Sequence, residues 1–324
     1  MRFAVVGAGA TGGFLGGYLA RAGHEVTLIA RGPHLAAMRQ HGLRVRTAEG
    51  EFTVRPACTD DLGAVADAEV AFLAVKAHAV APMAPALGEA LGDAGTLVTL
   101  QNGIPWWYFQ RQGGPLEGTT LETVDPGGAI AARIDPALVV GAVTYPATRI
   151  VEPGVVEHIE GTRFSIGELD GSRSERCKAI SGALASAGLK CPVRTDIRKE
   201  IWLKLIGNAV FNPLSALTRA SMAAIATDPG TRELALALMR EAVSVAAAVG
   251  VELDLTVEQR LEGAARVGEH RTSMLQDVEA GRLLEVDALV GAVVEIGRLC
   301  DLELPRLETV AACVKLLDRT LREG

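Results

Sequence analysis

The chain has 324 residues, a net charge of −7, and an apolar content of 49% with only 4% aromatic residues. This length predicts two domains, and the composition favours helices packed on a parallel sheet over a β-sandwich. The surplus of negative charge argues against a nucleic-acid partner, which would require a basic face.

The sequence also bears on location. The first apolar run stops at Gly7 and does not resemble a signal peptide. No stretch approaches the roughly 20 apolar residues that a membrane helix requires. The five cysteines are scattered and none lies in a C-x-x-C pair, which indicates reduced thiols and no metal site. We therefore expect a cytoplasmic protein that has no membrane partner.

The first third of the chain alternates short apolar strands with helical segments. This order predicts an α/β fold with a Rossmann-type, doubly wound sheet, in which ligands bind at the carboxyl ends of the strands. Lys76 and Asn102 stand at two such ends. The predicted strands are Phe3–Val6, Glu25–Ala30, Val70–Val75 and Thr96–Leu100. A glycine loop follows the first strand, and a helix is predicted after it that ends at about Ala22.

The middle of the chain, from Gly118 to Gly167, is predicted to add strands, some of them antiparallel. A helix is predicted at Ser174–Ala187 and a last strand from Gly188 to Arg194. From Asp196 the sequence is rich in Ala, Leu and Glu with helical periodicity. We predict a Rossmann-type domain over residues 1–195 and an all-helical domain over residues 196–324, and the apolar helical domain is compatible with a homodimer.

Residues 7–12 match the pattern G-x-G-x-x-G between a predicted strand and a predicted helix. Gly7 permits a tight turn, Gly9 lets the backbone approach a pyrophosphate, and Gly12 lets the helix pack on the strand. Ala10 and Thr11 begin the helix, whose N-terminus attracts phosphate. The context predicts a dinucleotide-binding loop, against the alternative of a glycine-rich turn without a cofactor.

The end of the second predicted strand selects the cofactor. NAD-binding proteins usually place Asp or Glu there, whereas this chain has Ala30-Arg31-Gly32. A guanidinium at this point can bind a 2′-phosphate bidentately, and no carboxylate stands beside it to repel the phosphate. Arg31 therefore favours NADPH over NADH, and the alternative is that Arg31 is a solvated surface residue.

A second polar group lies in the helical half of the chain. Lys204, Asn208 and Asn212 recur at intervals of four, so they form a line on one face of a helix predicted from Ile197 to Leu217. That helix is apolar on most sides, which makes the line a candidate buried site. The alternative is an exposed Lys with two Asn bonded to local backbone. Pro213 is expected to kink or end the helix near Asn212.

Polar residues further along can join this group. Ser273 can bind a carboxylate, and Glu285 can accept a hydrogen bond from a Lys ammonium. Acidic residues such as Asp277, Glu285 and Asp287 are nevertheless more often solvated charges on helices.

Together these motifs resemble the ketopantoate reductase (2-dehydropantoate 2-reductase) family over nearly the whole chain. The resemblance implies two domains with a cleft between them, NADPH as the hydride donor, and a small 2-keto acid, ketopantoate, that is reduced to pantoate. It rests on the glycine loop, Val75-Lys76-Ala77, Gln101-Asn102-Gly103, the motif W-x-K-x-x-x-N-x-x-x-N-P-L from Trp202 to Leu214, S-M-L-Q-D from Ser273 to Asp277, and Glu285-Val286-Asp287.

The resemblance also implies catalytic roles. Lys204 corresponds to the general acid, and Glu285 to a carboxylate that contacts the substrate and orients the site. An ammonium can stabilise the negative charge that hydride transfer leaves on the ketone oxygen and then donate a proton. At an unperturbed pKa near ~10.4, Lys204 would be protonated at neutral pH without special tuning.

Binding roles follow in the same way. Asn208, Asn212 and Ser273 correspond to substrate-binding residues. Asn102 corresponds to a residue between cofactor and substrate, Lys76 to one on the cofactor side, and Arg31 to the family's 2′-phosphate residue.

Two features depart from the family pattern. The segment Trp106–Phe109 carries four consecutive aromatic residues, which can shape or cover a substrate pocket or else pack between domains or subunits. Val290 stands where many relatives have Asn. Both leave open a related reductase that acts on a different 2-keto acid. A non-catalytic NADPH-binding sensor is the alternative outside the enzymes, and the pair Lys204 and Glu285 argues against it.

Overall fold

The computed structural model describes residues 1–266 and 268–323, which form two compact units. The first unit comprises Met1–Gln101, Phe109–Thr120 and Gly127–Ile197, and the second comprises Asn102–Tyr108, Leu121–Pro126 and Arg198–Gly324. The prediction of an α/β chain with a helical C-terminal region is confirmed. The predicted boundary at residue 195 does not anticipate the two short segments of the second unit, and as a domain boundary it stays a prediction.

All the strands of the described residues lie in the first unit. The main sheet has the order β11-β8-β7-β6-β1-β2-β5, and its pairings are parallel except for the antiparallel pair β11 and β8. The predicted doubly wound sheet is thus confirmed. The strands are β1 (Arg2–Val6), β2 (Glu25–Ile29), β3 (Leu43–Thr47), β4 (Gly50–Val54), β5 (Ala57–Thr59), β6 (Val70–Leu73), β7 (Leu97–Thr99), β8 (Val139–Thr144), β9 (Ala147–Glu152), β10 (Val155–Glu160) and β11 (Phe164–Glu168).

The other four strands form a second sheet in the order β4-β3-β10-β9. Its hairpin of β3 and β4 is absent from the sequence-based prediction. The signal was present, because Leu43 and Val45 alternate with polar residues before a short turn at Ala48 and Glu49. The partner strand β10 lies more than 100 residues further along the chain, so local patterns could not show that this hairpin extends into a larger sheet.

The first helix packs between the two sheets, against β2 on one side and against β3, β9 and β10 on the other. A Cβ at Gly16 would lie 2.5 Å from Cδ2 of Leu28, and a Cβ at Gly17 would lie 2.8 Å from Cγ2 of Val45. These glycines therefore let the helix approach both sheets closely. The helices of this unit are α1 (Ala10–Arg21), α2 (Gly32–His41), α3 (Val80–Leu91) and α4 (Glu175–Ser186).

The secondary structure of the second unit is helical, with no strand among its described residues. Of the two outcomes expected at Pro213, a kink or an end of the first helix, the end is wrong, since the helix continues to Thr218. A proline removes one backbone donor, but the flanking turns are buried and hold the helix together. The helices are α5 (Ile197–Thr218), α6 (Met222–Thr227), α7 (Pro229–Ala248), α8 (Val257–Arg266), α9 (Ser273–Glu279), α10 (Ala292–Leu299) and α11 (Pro305–Glu323), with a π-helical turn at Asp287–Gly291 before α10.

The strand predicted from Gly188 to Arg194 is wrong. This segment pairs with the main sheet only through isolated bridges, between Arg163 and Lys190 and between Ile166 and Val193. Pro192 has no N–H to continue a ladder. In the described part of the chain, none of the helices combines the length and the apolar character needed to cross a membrane.

Candidate active site

A cavity of about 560 Å³ in the first unit lies at the carboxyl ends of β1 and β2, against the glycine loop. At Gly7, where φ is +91°, a Cβ would lie 2.6 Å from Cγ1 of Val75, and at Gly12 a Cβ would lie 2.4 Å from the Gly7 oxygen. At Gly9, which lines the cavity, a Cβ would meet no atom of the chain nearer than 4.0 Å. Chain packing therefore requires glycine at positions 7 and 12. At Gly9 the bare backbone faces open space, which fits the close approach of a pyrophosphate.

The hydrogen bonds of the loop show which donors remain for a ligand. The N–H groups of Gly7 and Ala8 both donate to the Ile29 oxygen, at 2.9 Å each, so they serve the fold. The N–H groups in the first turn of α1, which starts at Ala10 and continues with Thr11, have no acceptor within the helix. They also carry the positive end of the helix dipole. These donors fit a diphosphate.

The two predicted cofactor cations differ in position. Arg31 lines the cavity, is exposed, and precedes the first turn of α2. Lys76 follows Val75 and begins the short 3₁₀ turn before α3. Val75 and Ala79 on either side of it line the cavity, whereas Lys76 itself does not. The structure thus brings Arg31 together with the glycine loop and leaves Lys76 beside the cavity.

Three further lining residues were not predicted. Asp60 follows β5, lines the same cavity as Arg31 and pairs with Arg39 at 3.2 Å. His34 accepts a hydrogen bond at Nδ1 from the Gly154 N–H at 3.0 Å, and burial lowers the pKa of its ring. Ile150 comes from β9. The sequence indicates a place near the cavity only for His34 among these three, because it lies three residues after Arg31. Asp60 and Ile150 are distant in sequence and are brought to the cavity by strand pairing.

In the second unit, Lys204 on α5 donates from Nζ to Oδ1 of Asn102 at 2.6 Å. The backbone after Asn102 is fixed by the Ile104 N–H, which donates to the Ala288 oxygen at 2.8 Å. Gly103 has a φ of +87°, and a Cβ there would lie 2.2 Å from the same Ala288 oxygen. The N-G sequence is therefore required to place the Asn102 amide against the Lys204 ammonium.

The charge state of Lys204 depends on three influences. Together they lower the pKa of the amine from 10.5 to about 8: burial, the largest influence, lowers it, the Glu285 carboxylate raises it, and the Arg260 guanidinium lowers it. The expectation of an unperturbed amine is therefore wrong. At pH 7 about nine-tenths of the amine is still protonated, because one pH unit changes the ratio of the two forms tenfold.

The predicted substrate-binding residues continue along α5. Asn208 lies one helical turn beyond Lys204, and Asn212 lies two turns beyond it and is only 4% exposed. The Asn212 Nδ2 approaches the Ser273 Oγ at 3.5 Å, the long limit for a hydrogen bond. Ser273 is exposed and begins α9. The structure thus brings Asn212 and Ser273 together, and it places Lys204 with Asn102.

The neighbouring acidic residues differ from one another. Asp277 is buried and accepts from Nε of Arg282 at 3.0 Å, which contradicts the expectation of a solvated charge. Asp287 is exposed and pairs with Lys315 at 3.0 Å. Both carboxylates therefore have cationic partners of their own in the second unit.

The aromatic segment contributes to the core of the second unit. Trp107 is 1% exposed and Tyr108 is fully buried. The Trp202 Nε1 donates to the Tyr108 hydroxyl at 2.7 Å, and the Arg198 Nε donates to the Tyr108 backbone oxygen at 2.8 Å. These contacts fix the segment after Asn102, so Trp107 and Tyr108 are packing residues and do not form a mobile cover. Val290 is also fully buried, so its apolar side chain suits its surroundings.

Comparison with known proteins assigns the chain to a family. The model described as "Ketopantoate reductase PanE/ApbA" matches residues 3–106, and the model for the C-terminal part of the same family matches residues 196–318. The chain belongs to the ketopantoate reductase family. It is 49% identical to the 2-dehydropantoate 2-reductase of Mesorhizobium japonicum over 98% of both chains. It is 34% identical to that of Halobacterium salinarum over 98% of this chain and 99% of the other.

A solved structure agrees with this assignment. The PanE/ApbA family ketopantoate reductase from Ralstonia eutropha superposes with a TM-score of 0.86, at 29% identity, over 99% of this chain and 100% of the other. The ketopantoate reductases are NADP-dependent oxidoreductases that act on a CH–OH group. The described residues contain no group of three or more His, Cys, Asp or Glu that could hold a metal ion.

Proposed function

We propose that this protein reduces ketopantoate (2-dehydropantoate) to pantoate with NADPH, and that Lys204 is the general acid. The observation that carries the proposal is the position of Lys204. Its ammonium is held by Asn102 at 2.6 Å, and the opposing effects of burial and Glu285 leave it mostly charged at neutral pH. A charged donor of this kind is what reduction of a ketone to an alcohol requires.

On the cofactor side, the glycine loop and the first turn of α1 would hold the diphosphate of NADPH, and Arg31 would bind its 2′-phosphate. When bound, the dinucleotide supplies a hydride. The exposed guanidinium of Arg31 makes the cavity more favourable for a phosphorylated ribose, and Asp60 is paired with Arg39, which reduces its repulsion of that phosphate.

On the substrate side, different residues of the chain would donate the proton, orient the donor and bind the substrate. The Lys204 ammonium would bind the ketone oxygen, stabilise the developing negative charge and donate its proton to that oxygen from Nζ. The Asn102 amide orients Nζ. Asn208, Asn212 and Ser273 would supply neutral donors to the hydroxyl and carboxylate groups of the substrate. Glu285 raises the pKa of Lys204 and so favours the charged amine before the reaction.

A panel of 2-keto acids tests the proposal. Purified protein is mixed with NADPH and with ketopantoate, pyruvate, 2-ketoisovalerate or benzoylformate, and the loss of NADPH absorbance is followed. We expect turnover with ketopantoate at the highest kcat/KM of the panel. A higher kcat/KM for another keto acid would identify a related reductase. Binding of NADPH without any turnover would indicate a non-catalytic NADPH-binding sensor.

A Lys204→Ala variant isolates the general acid. We expect turnover to fall by roughly two or more orders of magnitude, while NADPH affinity, measured by fluorescence titration, is unchanged because Lys204 does not line the cofactor cavity. Near-normal turnover of this variant would remove Lys204 from its proposed role. Lys199→Ala is the matched control on the same helix, since Lys199 forms an ion pair with Asp254.

A further inference from the structure

The second unit contains another cation near Lys204 that the family resemblance does not assign. Arg260, on α8, places its guanidinium against α5 at Gly207. A Cβ at Gly207 would lie 2.3 Å from Nη2, 2.8 Å from Nε and 2.9 Å from Cζ of Arg260. The guanidinium therefore occupies the space that the side chain of any other residue at position 207 would need.

This arrangement explains an otherwise unfavourable residue. Glycine is a poor helix former, and Gly207 lies in the interior of a 22-residue helix. A glycine in such a position usually has a packing or functional reason. Here the close approach of Arg260 supplies it.

Gly207 is also close to the proposed general acid. It lies three residues after Lys204, and residues at this spacing share one face of a helix. The Arg260 charge lowers the pKa of Lys204, while the Glu285 charge raises it. The ammonium of Lys204 is thus acted on by a second cation, Arg260, as well as by the carboxylate of Glu285. Two like charges side by side are unfavourable, and a bound anion would offset this cost.

A 2-keto acid has two neighbouring groups, a ketone oxygen and a carboxylate, that such a pair of cations can bind. The carboxylate of the substrate is attached to the carbon next to the ketone carbon. If the Lys204 ammonium binds the ketone oxygen, the group that binds the carboxylate must therefore lie beside Lys204. A guanidinium binds a carboxylate bidentately, which fixes its orientation as well as its position. Arg260 is half-buried, with its Nε buried.

We propose that Arg260 binds the carboxylate of the 2-keto acid substrate, and that Gly207 provides the space for its guanidinium. This assignment rests on the proposed reductase function and deepens it. It makes Arg260 a residue that selects 2-keto acids over ketones without a carboxylate. It adds a charged contact to the neutral donors of Asn208, Asn212 and Ser273.

The test compares each 2-keto acid with its methyl ester, which keeps the ketone and loses the charge. Unmodified protein should prefer the acid in kcat/KM. In Arg260→Gln the kcat/KM for the acid should fall roughly ten- to hundred-fold, as expected for a lost charge-assisted bidentate contact, and the value for the ester should stay nearly constant. Arg260→Lys keeps the charge but loses the planar guanidinium. Its kcat/KM for the acid should lie between the values of unmodified protein and Arg260→Gln.

Gly207→Ala tests the same contact without removing a charge. The added methyl group must displace the flexible end of Arg260. We expect unchanged or higher thermal stability, because Ala favours the helix, together with a several-fold loss of acid-over-ester preference. Gly263→Ala is the matched control, since a Cβ at Gly263, on the same helix as Arg260, meets nothing within 4 Å. Arg266→Gln, on the exposed end of that helix, is the charge control.

Equilibrium binding of pantoate, the expected product, gives a readout that does not depend on turnover. Calorimetry should show weaker binding to Arg260→Gln and to Gly207→Ala than to the controls. Equal losses for acid and ester in Arg260→Gln would mean that Arg260 acts only through the fold or through Lys204, and would overturn the assignment. If both variants kept the full preference for the acid over the ester, the Arg260 assignment would be overturned but the reductase function would not. If unmodified protein reduced no 2-keto acid, the reductase function would be overturned as well.

Discussion

The pKa of Lys204 leads to a pH dependence that distinguishes this site from an ordinary solvated lysine. The pKa is lowered from 10.5 to about 8, chiefly by burial. Since one pH unit corresponds to about 1.4 kcal/mol, the surroundings disfavour the charged amine by about 3 kcal/mol relative to water. The same surroundings favour the neutral amine that remains after proton donation over the charged amine, relative to water.

The direction of the pH effect follows from the form that reacts. A general acid must be protonated, and a lysine is protonated below its pKa. We therefore expect kcat/KM to be constant well below pH 8 and to fall about tenfold for each pH unit above it. Between pH 7 and about pH 9 the decrease should approach tenfold, whereas an amine with a pKa near ~10.4 would show almost none.

The assay is kcat/KM for ketopantoate at saturating NADPH, measured from neutral to alkaline pH, because kcat/KM reports the ionisation of the substrate-free form. Lys204→Arg is the control, since a guanidinium stays charged across this range and its residual activity should show no decrease near pH 8. Glu285→Gln should move the decrease to lower pH because Glu285 raises the pKa of Lys204. A flat profile for unmodified protein, or an unchanged decrease in Lys204→Arg, would refute the assignment.

Two further predictions concern the cofactor cavity. Arg31→Asp should weaken NADPH binding by roughly ten- to hundred-fold and leave NADH binding much less affected, and equal losses in fluorescence titrations would contradict the 2′-phosphate assignment. Gly9→Ala should leave the thermal midpoint nearly unchanged, because a Cβ there meets no atom nearer than 4.0 Å, yet weaken NADPH binding. Gly12→Ala should lower the midpoint instead, because its Cβ would lie 2.4 Å from the Gly7 oxygen, and the opposite pattern in the two variants would refute this distinction.

The sequence predicts β1, β2 and β6 of the main sheet because each is a short, mostly apolar run followed by a helix. The predicted strand from Phe3 to Val6 corresponds to β1, and the run from Glu25 to Ala30 corresponds to β2, each within one residue. The second sheet was not predicted as a unit because β3 pairs with β10, more than 100 residues away. Local periodicity shows that a strand exists and which face is apolar, but it does not identify a distant partner.

The same limit applies to the candidate site. Lys204 and Asn212 could be found because the period of one helix aligns them. The contact between Lys204 and Asn102 spans 102 residues, and only the family resemblance brought these two together in advance. The sequence does not predict a role for Arg260 because no motif or spacing in α8 distinguishes it. Its proposed role depends on its contact with Gly207 on another helix. The pKa of Lys204 was misjudged because burial depends on the packing of the whole unit.

The glycines separate the requirements of folding from those of binding. At Gly103 a side chain would meet backbone atoms of the chain itself, so folding alone explains the residue. At Gly9 a side chain would meet only the open cavity, and at Gly207 only the movable end of a charged side chain. Neither position needs glycine for the fold, since a helix would favour Ala at Gly207. A glycine that the fold does not require, next to a group that can hold an anion, is better explained by a ligand. Gly9 marks the diphosphate side in the first unit, and Gly207 marks the carboxylate side in the second.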